Sequence, residues 1–193
     1  MNRVLRIALV RHGETVGNSR VRYFGSTDVP LSREGRRQAL AARLAIPGDH
    51  WDRVVSSTLS RAWQTALVVS PGRAVALEHD FREIHFGRWE GLTRDEIAER
   101  DPALFEEWQK KGIDFDYPEG EPRAEFRARV ERGLERLMQR GDGESVIVVA
   151  HKGVLRTLVR ALTGEVLELD EPALGGVLRV VRGADERFVV RRG

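Results

Sequence analysis

The apolar run from Val146 to Ala150 constrains the fold more than any other segment of the sequence. Its β-branched residues favour a strand, and a continuous apolar run, in place of alternating apolar and polar residues, is typical of a strand buried on both faces. Strands of that kind occur in parallel sheets that are covered by helices on both sides. The run therefore predicts the central strand of an α/β fold.

Strand and helix patterns alternate along most of the chain. The segment from Arg6 to Val10 predicts one strand, and the patterns around 54–55 and 75–77 predict two more. Helices are predicted at residues 32–44, 59–69, 126–138 and from residue 153 onward. This alternation predicts a three-layer α/β/α sandwich with a mostly parallel sheet.

Two segments depart from this alternation. Residues 177–181 and 188–190 predict an antiparallel hairpin at one edge of the sheet. In the middle of the chain, Thr93-x-x-Glu96 is a capping box for a short helix, and 103–111 predict another. We expect these two helices to form an insertion over the edge of the sheet where a site would lie.

Length and composition narrow the functional classes. The 193 residues fit a single domain, residues 1–193, and the formal net charge of +2 is spread along the chain, so nucleic acid is not an expected partner. The absence of cysteine excludes disulfides and thiolate metal sites, and no stretch approaches the roughly 18 apolar residues of a membrane span. We therefore expect a cytoplasmic protein with no membrane contact. Whether it forms an oligomer is left open.

The strongest chemical signal is the pair Arg11-His12, which directly follows the first predicted strand. Open α/β sheets bind ligands beyond the carboxyl ends of their strands, so a site is expected here. A guanidinium can grip phosphate oxygens in a bidentate way, and a neutral imidazole can attack phosphorus. The pair therefore suggests phosphoryl chemistry, although a histidine at a strand end can also be purely structural.

Three other chemically active residues follow strands in the same way. Arg61 opens the helix after the second strand, Glu83 follows the third, and His151 follows the central one. Each alone has an ordinary structural explanation. Because parallel strands end at one edge of the sheet, we expect all three to converge with Arg11 and His12 on one pocket.

The sequence resembles the histidine phosphatase superfamily, in its phosphoglycerate-mutase-like branch, over nearly the whole chain. The resemblance implies that His12 is the phosphorylated nucleophile and Glu83 the proton donor, with a small phosphate ester as substrate and no metal or other cofactor. It also implies that Arg11, Asn18, Arg61 and His151 bind phosphate. The matching segments are Arg11-His12-Gly13-Glu14-Thr15-x-x-Asn18, Gly25-x-x-Asp28-x-Pro30-Leu31-Ser32-x-x-Gly35, Ser56-Ser57-x-Leu59-x-Arg61-Ala62-x-Gln64-Thr65-Ala66, Glu83-Ile84-x-Phe86-Gly87-x-Trp89-Glu90-Gly91 and Val148-Val149-Ala150-His151-x-Gly153.

Lys152 departs from this pattern, since relatives usually carry a small residue or asparagine after the second histidine. It is either a surface lysine at a helix start or a contact for the substrate. The family pattern places such positions on the substrate side of the pocket. Substrate specificity is therefore where this chain is expected to differ.

Three alternative functions remain beside a metal-independent phosphatase. A phosphoglycerate mutase would use the same phosphohistidine intermediate, but such enzymes usually have a longer lid insertion than the segment 93–123 here. A metal hydrolase needs ligand spacing such as His-Glu-x-x-His, which the sequence lacks. A non-catalytic phosphate-binding domain would not need both His12 and Glu83.

Overall fold

The computed structural model describes residues 6–46, 50–139, 145–168 and 170–191. Within these ranges the chain forms a six-stranded mixed sheet with the order β3-β2-β4-β1-β5-β6. The strands are β1 (Arg6–Arg11), β2 (Arg53–Ser57), β3 (Ala76–Glu78), β4 (Ser145–Ala150), β5 (Val177–Arg182) and β6 (Phe188–Arg191).

The predicted central strand is confirmed. All six residues of β4 are buried, and the strand pairs in parallel with β1 on one side and β2 on the other. The predicted antiparallel edge is also confirmed, because β5 pairs antiparallel with both β1 and β6. The register that matters most aligns Arg11 with Ala150, so β1 and β4 end side by side.

Helices cover both faces of the sheet, as the sequence predicts. Consecutive residues of β1 point to opposite sides: Ala8 and Val10 join one apolar cluster with Ala62 of a helix, while Ile7 and Leu9 join another. No helix in the described ranges is long and apolar enough to span a membrane. The α-helices are α1 (Arg33–Ala45), α2 (Ser60–Val69), α3 (Arg94–Arg100), α4 (Pro102–Lys111), α5 (Arg123–Gln139) and α6 (Lys152–Thr163).

The helical insertion consists of α3 and α4 together with an aromatic cluster. Trp89 is almost completely buried and stacks on Phe115 with ring centroids 5.3 Å apart. Its indole N–H donates to the Asp101 carboxylate over 2.7 Å, and Asp101 also accepts from Arg88. These contacts fix the start of α4 against the segment that follows β3.

The segment that follows β3 shows no periodic pattern in the sequence, yet it is ordered. Short 3₁₀ helices form at His79–Phe81 and Gly87–Trp89. The first of them begins where the Glu78 carboxylate accepts the backbone N–H of Asp80. A single turn that is capped by one side chain is too short to produce a periodic hydrophobic pattern. For this reason the sequence pattern does not predict these 3₁₀ helices.

Close backbone packing holds the loop after β1 against the first turn of α1. A Cβ atom on Gly13 would lie 2.3 Å from the carbonyl oxygen of Gly35, and one on Gly35 would lie 2.0 Å from that of Glu14. The same Glu14 oxygen accepts a hydrogen bond from the backbone N–H of Ser32, the N-cap of α1. Only glycine allows this approach, which fixes the position of His12 between β1 and α1.

Candidate active site

His12 is the first residue beyond β1, and its ring is held in one orientation. The backbone N–H of His12 donates to the carbonyl of Ala150, and ring atom Nδ1 lies 2.7 Å from the carbonyl oxygen of Gly13. Because a carbonyl oxygen only accepts, Nδ1 carries the hydrogen and Nε2 keeps its lone pair. Burial, followed by the charges of Arg61 and Arg11, holds the pKa of His12 well below its usual value. The ring is therefore neutral, as a nitrogen nucleophile must be.

His151 lies beside His12 at the end of β4, with ring centroids 5.1 Å apart. Its Nε2 is 2.8 Å from the hydroxyl oxygen of Ser57, which also accepts the backbone N–H of Leu59. The Ser57 hydroxyl can donate to Nε2, and in the tautomer that accepts this hydrogen bond the ring hydrogen is on Nδ1. Burial, then the positive charge of Arg61, holds the pKa of His151 well below its usual value.

Arg61 is fully buried in the first turn of α2. Its guanidinium donates to three backbone carbonyls in the loop before α1, those of Phe24, Gly25 and Thr27. Burial lowers the pKa of Arg61 to about 10, a value at which it stays protonated at neutral pH. The side chain therefore fixes that loop and brings a positive charge under the two histidines.

Arg11 and Glu83 complete the group. The Arg11 guanidinium donates to the carbonyl of Pro172 over 3.0 Å, and burial lowers its pKa. The Glu83 carboxylate is nearly buried and accepts the backbone N–H of Gly153 over 2.9 Å, at the start of α6.

Three buried nitrogens of this group have no hydrogen-bond partner in the part of the chain that the structure describes: Nε of Arg11, Nε of Arg61 and Nδ1 of His151. Buried donors are nearly always paired, because an unpaired one loses its hydration without compensation. The charges of Arg11 and Arg61 act on His12 and the ring of His151 lies beside it, so these nitrogens form a site suited to the oxygens of an anion such as phosphate. The expected convergence of the strand-end residues is thus observed for five residues.

The comparisons with known proteins agree with this geometry. A family model described as the histidine phosphatase superfamily (branch 1) matches residues 7–187. The chain belongs to the histidine phosphatase superfamily.

Individual relatives are similar over most of the chain. A bifunctional protein of Mycobacterium tuberculosis is 40% identical over 161 residues, which are 80% of this chain but only 43% of the relative. The adenosylcobalamin/alpha-ribazole phosphatase of Salmonella typhimurium is 34% identical over 82% of this chain and 79% of the relative. The solved structure of mycobacterial glucosyl-3-phosphoglycerate phosphatase with VO3 aligns with a TM-score of 0.80 and 30% identity over 98% of both chains.

Two predicted site residues lie outside the cluster of unpartnered donors. Asn18 is exposed with a φ of 66°, and its hydrogen bonds in the described ranges are made by its backbone. Its phosphate-binding role, which rests on the superfamily pattern, stays a prediction. Lys152 is half-buried at the start of α6 and lines a cavity together with Glu83.

Sequence reasoning missed three residues that hold the site in place. Ser57 contacts His151, as described above. Glu90 accepts the backbone N–H groups of the loop that Arg61 binds, including those of Gly25 and Ser26. Arg129 on α5 donates to the carbonyl of Glu83. Ser57 could have been predicted, because it lies at the carboxyl end of a strand like the predicted residues. Arg129 could not, because it is one of several polar residues on a long helix.

The positive charge of the site comes from guanidinium groups. Across the described ranges, no group of three or more His, Asp or Glu side chains is arranged to hold a metal ion. Arg11 and Arg61 flank His12 closely enough to lower its pKa. The positive charge of the site is thus supplied by side chains of the chain itself.

The hydrogen-bond pattern makes a spectroscopic prediction. Long-range ¹H–¹⁵N correlation at pH 6 is expected to show His12 and His151 as neutral Nδ1–H tautomers, because both pKa values lie well below 6.5. Ser57→Ala is expected to change the His151 signals and leave the His12 tautomer unchanged. An imidazolium pattern for His12 at this pH would contradict the assignment of Nε2 as the nucleophile.

Proposed function

We propose that the protein hydrolyses small phosphate monoesters, without a metal ion, through a phosphohistidine intermediate on His12. The observation that carries this proposal is the neutral, buried ring of His12 beside Arg11, Arg61 and His151, each of which has a buried nitrogen with no hydrogen-bond partner in the described ranges. A phosphate monoester supplies both the electrophilic phosphorus and the oxygens that those donors lack. Membership of the histidine phosphatase superfamily supports the same chemistry.

In the first step, Nε2 of His12 attacks phosphorus and the bond from phosphorus to the ester oxygen breaks. The guanidiniums of Arg11 and Arg61 hold the transferring oxygens, whose charge persists through the transition state. Glu83, protonated, gives its proton to the departing alkoxide. The His12 ring gains positive charge, which the Nδ1–H donation to the Gly13 carbonyl stabilises.

In the second step, Glu83 is a carboxylate and removes a proton from a water molecule. The water oxygen attacks phosphorus, the P–N bond breaks, and Nε2 recovers its lone pair. Phosphate leaves and Glu83 is protonated again, ready for another ester. A mutase would pass the phosphoryl group to a second alcohol in place of water, and the short helical insertion favours hydrolysis.

Turnover of p-nitrophenyl phosphate tests this proposal. Protein treated with EDTA is expected to release p-nitrophenol and inorganic phosphate in equal amounts, and His12→Ala is expected to lose at least about 10³-fold in rate. His79→Ala, an exposed histidine outside the site, serves as the control. A loss of activity on chelation that Zn²⁺, Mn²⁺ or Mg²⁺ restores would favour the metal-hydrolase alternative. Phosphate release below that of p-nitrophenol would favour transfer to a second alcohol.

The role of Glu83 depends on how much the leaving group needs a proton. With an alkyl phosphate, Glu83→Gln is expected to slow the phosphorylation step by about 10²–10⁴-fold, the usual contribution of a general acid. With p-nitrophenyl phosphate, whose leaving group departs unprotonated, the loss in that step is expected to be much smaller.

Single-turnover kinetics are needed for this comparison, because loss of Glu83 also slows the attack of water in the second step. Glu135→Gln on the exposed face of α5 is the matched control. An equal defect for both leaving groups would mean that Glu83 is not the acid.

A further inference from the structure

A cavity of about 570 Å³ extends from Glu83 between α5 and α6. Glu83 and Gly153 line it, together with residues of α5 and α6. Its volume falls in the range of small-molecule sites. Since Glu83 is the proposed proton donor to the leaving oxygen, the cavity begins where the leaving alcohol must lie.

Cations line this cavity in two rows. Lys152, Arg156 and Arg160 follow one another at intervals of four residues on α6, and Arg123 and Arg127 do so on α5. Residues four apart share one face of a helix, where like charges repel each other and destabilise the helix. Both helices therefore place positively charged side chains at the cavity, and the repulsion between these side chains slightly destabilises each helix.

Lys152 carries the clearest unbalanced charge. Its side chain is half-buried and makes no hydrogen bond or ion pair with any part of the chain that the structure describes. It is also the first residue of α6, where the helix dipole disfavours a cation. Burial, then the nearby charges of Arg11 and Arg156, lowers the pKa of Lys152.

Neighbouring groups balance this charge only in part. Arg156 donates to the carbonyl of Glu168, and burial, then the charge of Arg123, lowers its pKa. Arg127 is paired with the carboxylate of Asp114. The remaining acid that lines the cavity beside Glu83 is Glu131, which is exposed to solvent. The charges of Asp170 and Glu83 act on Lys152, and those of Glu168 and Glu171 act on Arg156, but each has a smaller effect on the pKa than burial does. In the described ranges no carboxylate forms an ion pair with Lys152, so its charge is only partly balanced.

The rest of the lining is apolar or aromatic. Tyr23, Phe86 and Phe126 contribute ring surface, and Ile113 and Leu167 contribute aliphatic surface. A ligand that fills the cavity can therefore combine an apolar body with a negatively charged end.

We propose that this cavity binds the leaving alcohol of the substrate, and that Lys152 and Arg156 bind a second oxyanion, a carboxylate or a phosphate, carried by that alcohol. The proposal rests on the proposed function, because that function places the ester oxygen beside Glu83, which lines the cavity. A second oxyanion supplies the partner that Lys152 lacks. The substrates are then phosphate monoesters with two anionic groups.

Two esters that differ only in one charge test this proposal. We compare 4-(carboxymethyl)phenyl phosphate with its methyl ester, since the methylene group keeps the two leaving phenols similar in acidity. The acid is expected to have a kcat/KM about 10- to 100-fold higher, the range of a charge-assisted hydrogen bond. Lys152→Met and Arg156→Gln are each expected to bring this ratio toward one. Arg43→Gln, an exposed position on α1, is expected to leave it unchanged.

Binding gives a second readout that does not need turnover. The non-hydrolysable 4-(carboxymethyl)benzylphosphonate is expected to bind more tightly than its methyl ester by a similar factor in calorimetry, and the two variants are expected to remove the difference. Equal affinities for acid and ester, or a ratio that survives in both variants, would overturn the second-oxyanion site. Tight and selective binding without hydrolysis of either ester would support that site and contradict the proposed function.

Discussion

The parallel pairing of β1 with β4 is the constraint on which the site depends. It aligns Arg11 with Ala150, so the residues that follow both strands, His12 and His151, leave the sheet side by side. The hydrogen bond from the His12 backbone to Ala150 continues this ladder by one step, and the two rings lie 5.1 Å apart. Two histidines separated by most of the sequence thus share one pocket because of strand order and register.

The electrostatics of the pocket follow from what is buried beside these rings. Arg61 is completely buried, and backbone carbonyls satisfy most of its donors without neutralising its charge. A buried cation without a paired anion is costly, and it disfavours protonation of neighbouring imidazoles. Burial and this positive charge together keep His12 neutral, and the charge leaves the pocket short of one anion. A phosphate group would balance that charge, so the buried cation favours both the proposed nucleophile and the proposed substrate.

Much of this arrangement can be predicted from the sequence. A continuous apolar run such as 146–150 identifies the central strand, and polar residues that follow strands converge because parallel strands end at one edge. Arg11, His12, Arg61, Glu83 and His151 were found by that rule, and the structure brings them together. This rule predicts the edge of the sheet at which the site lies. It does not predict the hydrogen-bond directions or the histidine tautomers within the site.

The residues that support the site are harder to find. Arg129 belongs to the polar face of a 17-residue helix, and nothing in the periodicity separates it from arginines that face solvent. Asn18 is the opposite case, because the sequence motif predicts a role for it in the site. The motif does not show that the Asn18 backbone adopts a φ of 66° or that its side chain is exposed. The cavity between α5 and α6 also lies beyond sequence patterns, because it depends on how these two helices, which follow one another in the chain on either side of β4, face each other.

The central claim is that His12 becomes covalently phosphorylated. Rapid mixing of EDTA-treated protein with a ³²P-labelled phosphate monoester, a quench in alkali and peptide mapping test it most directly. The account predicts an acid-labile, alkali-stable label on the peptide that contains His12, which forms and decays within one turnover and is absent from His12→Ala. A label that persists in His12→Ala, or phosphate release with no labelled protein at any time, would contradict it.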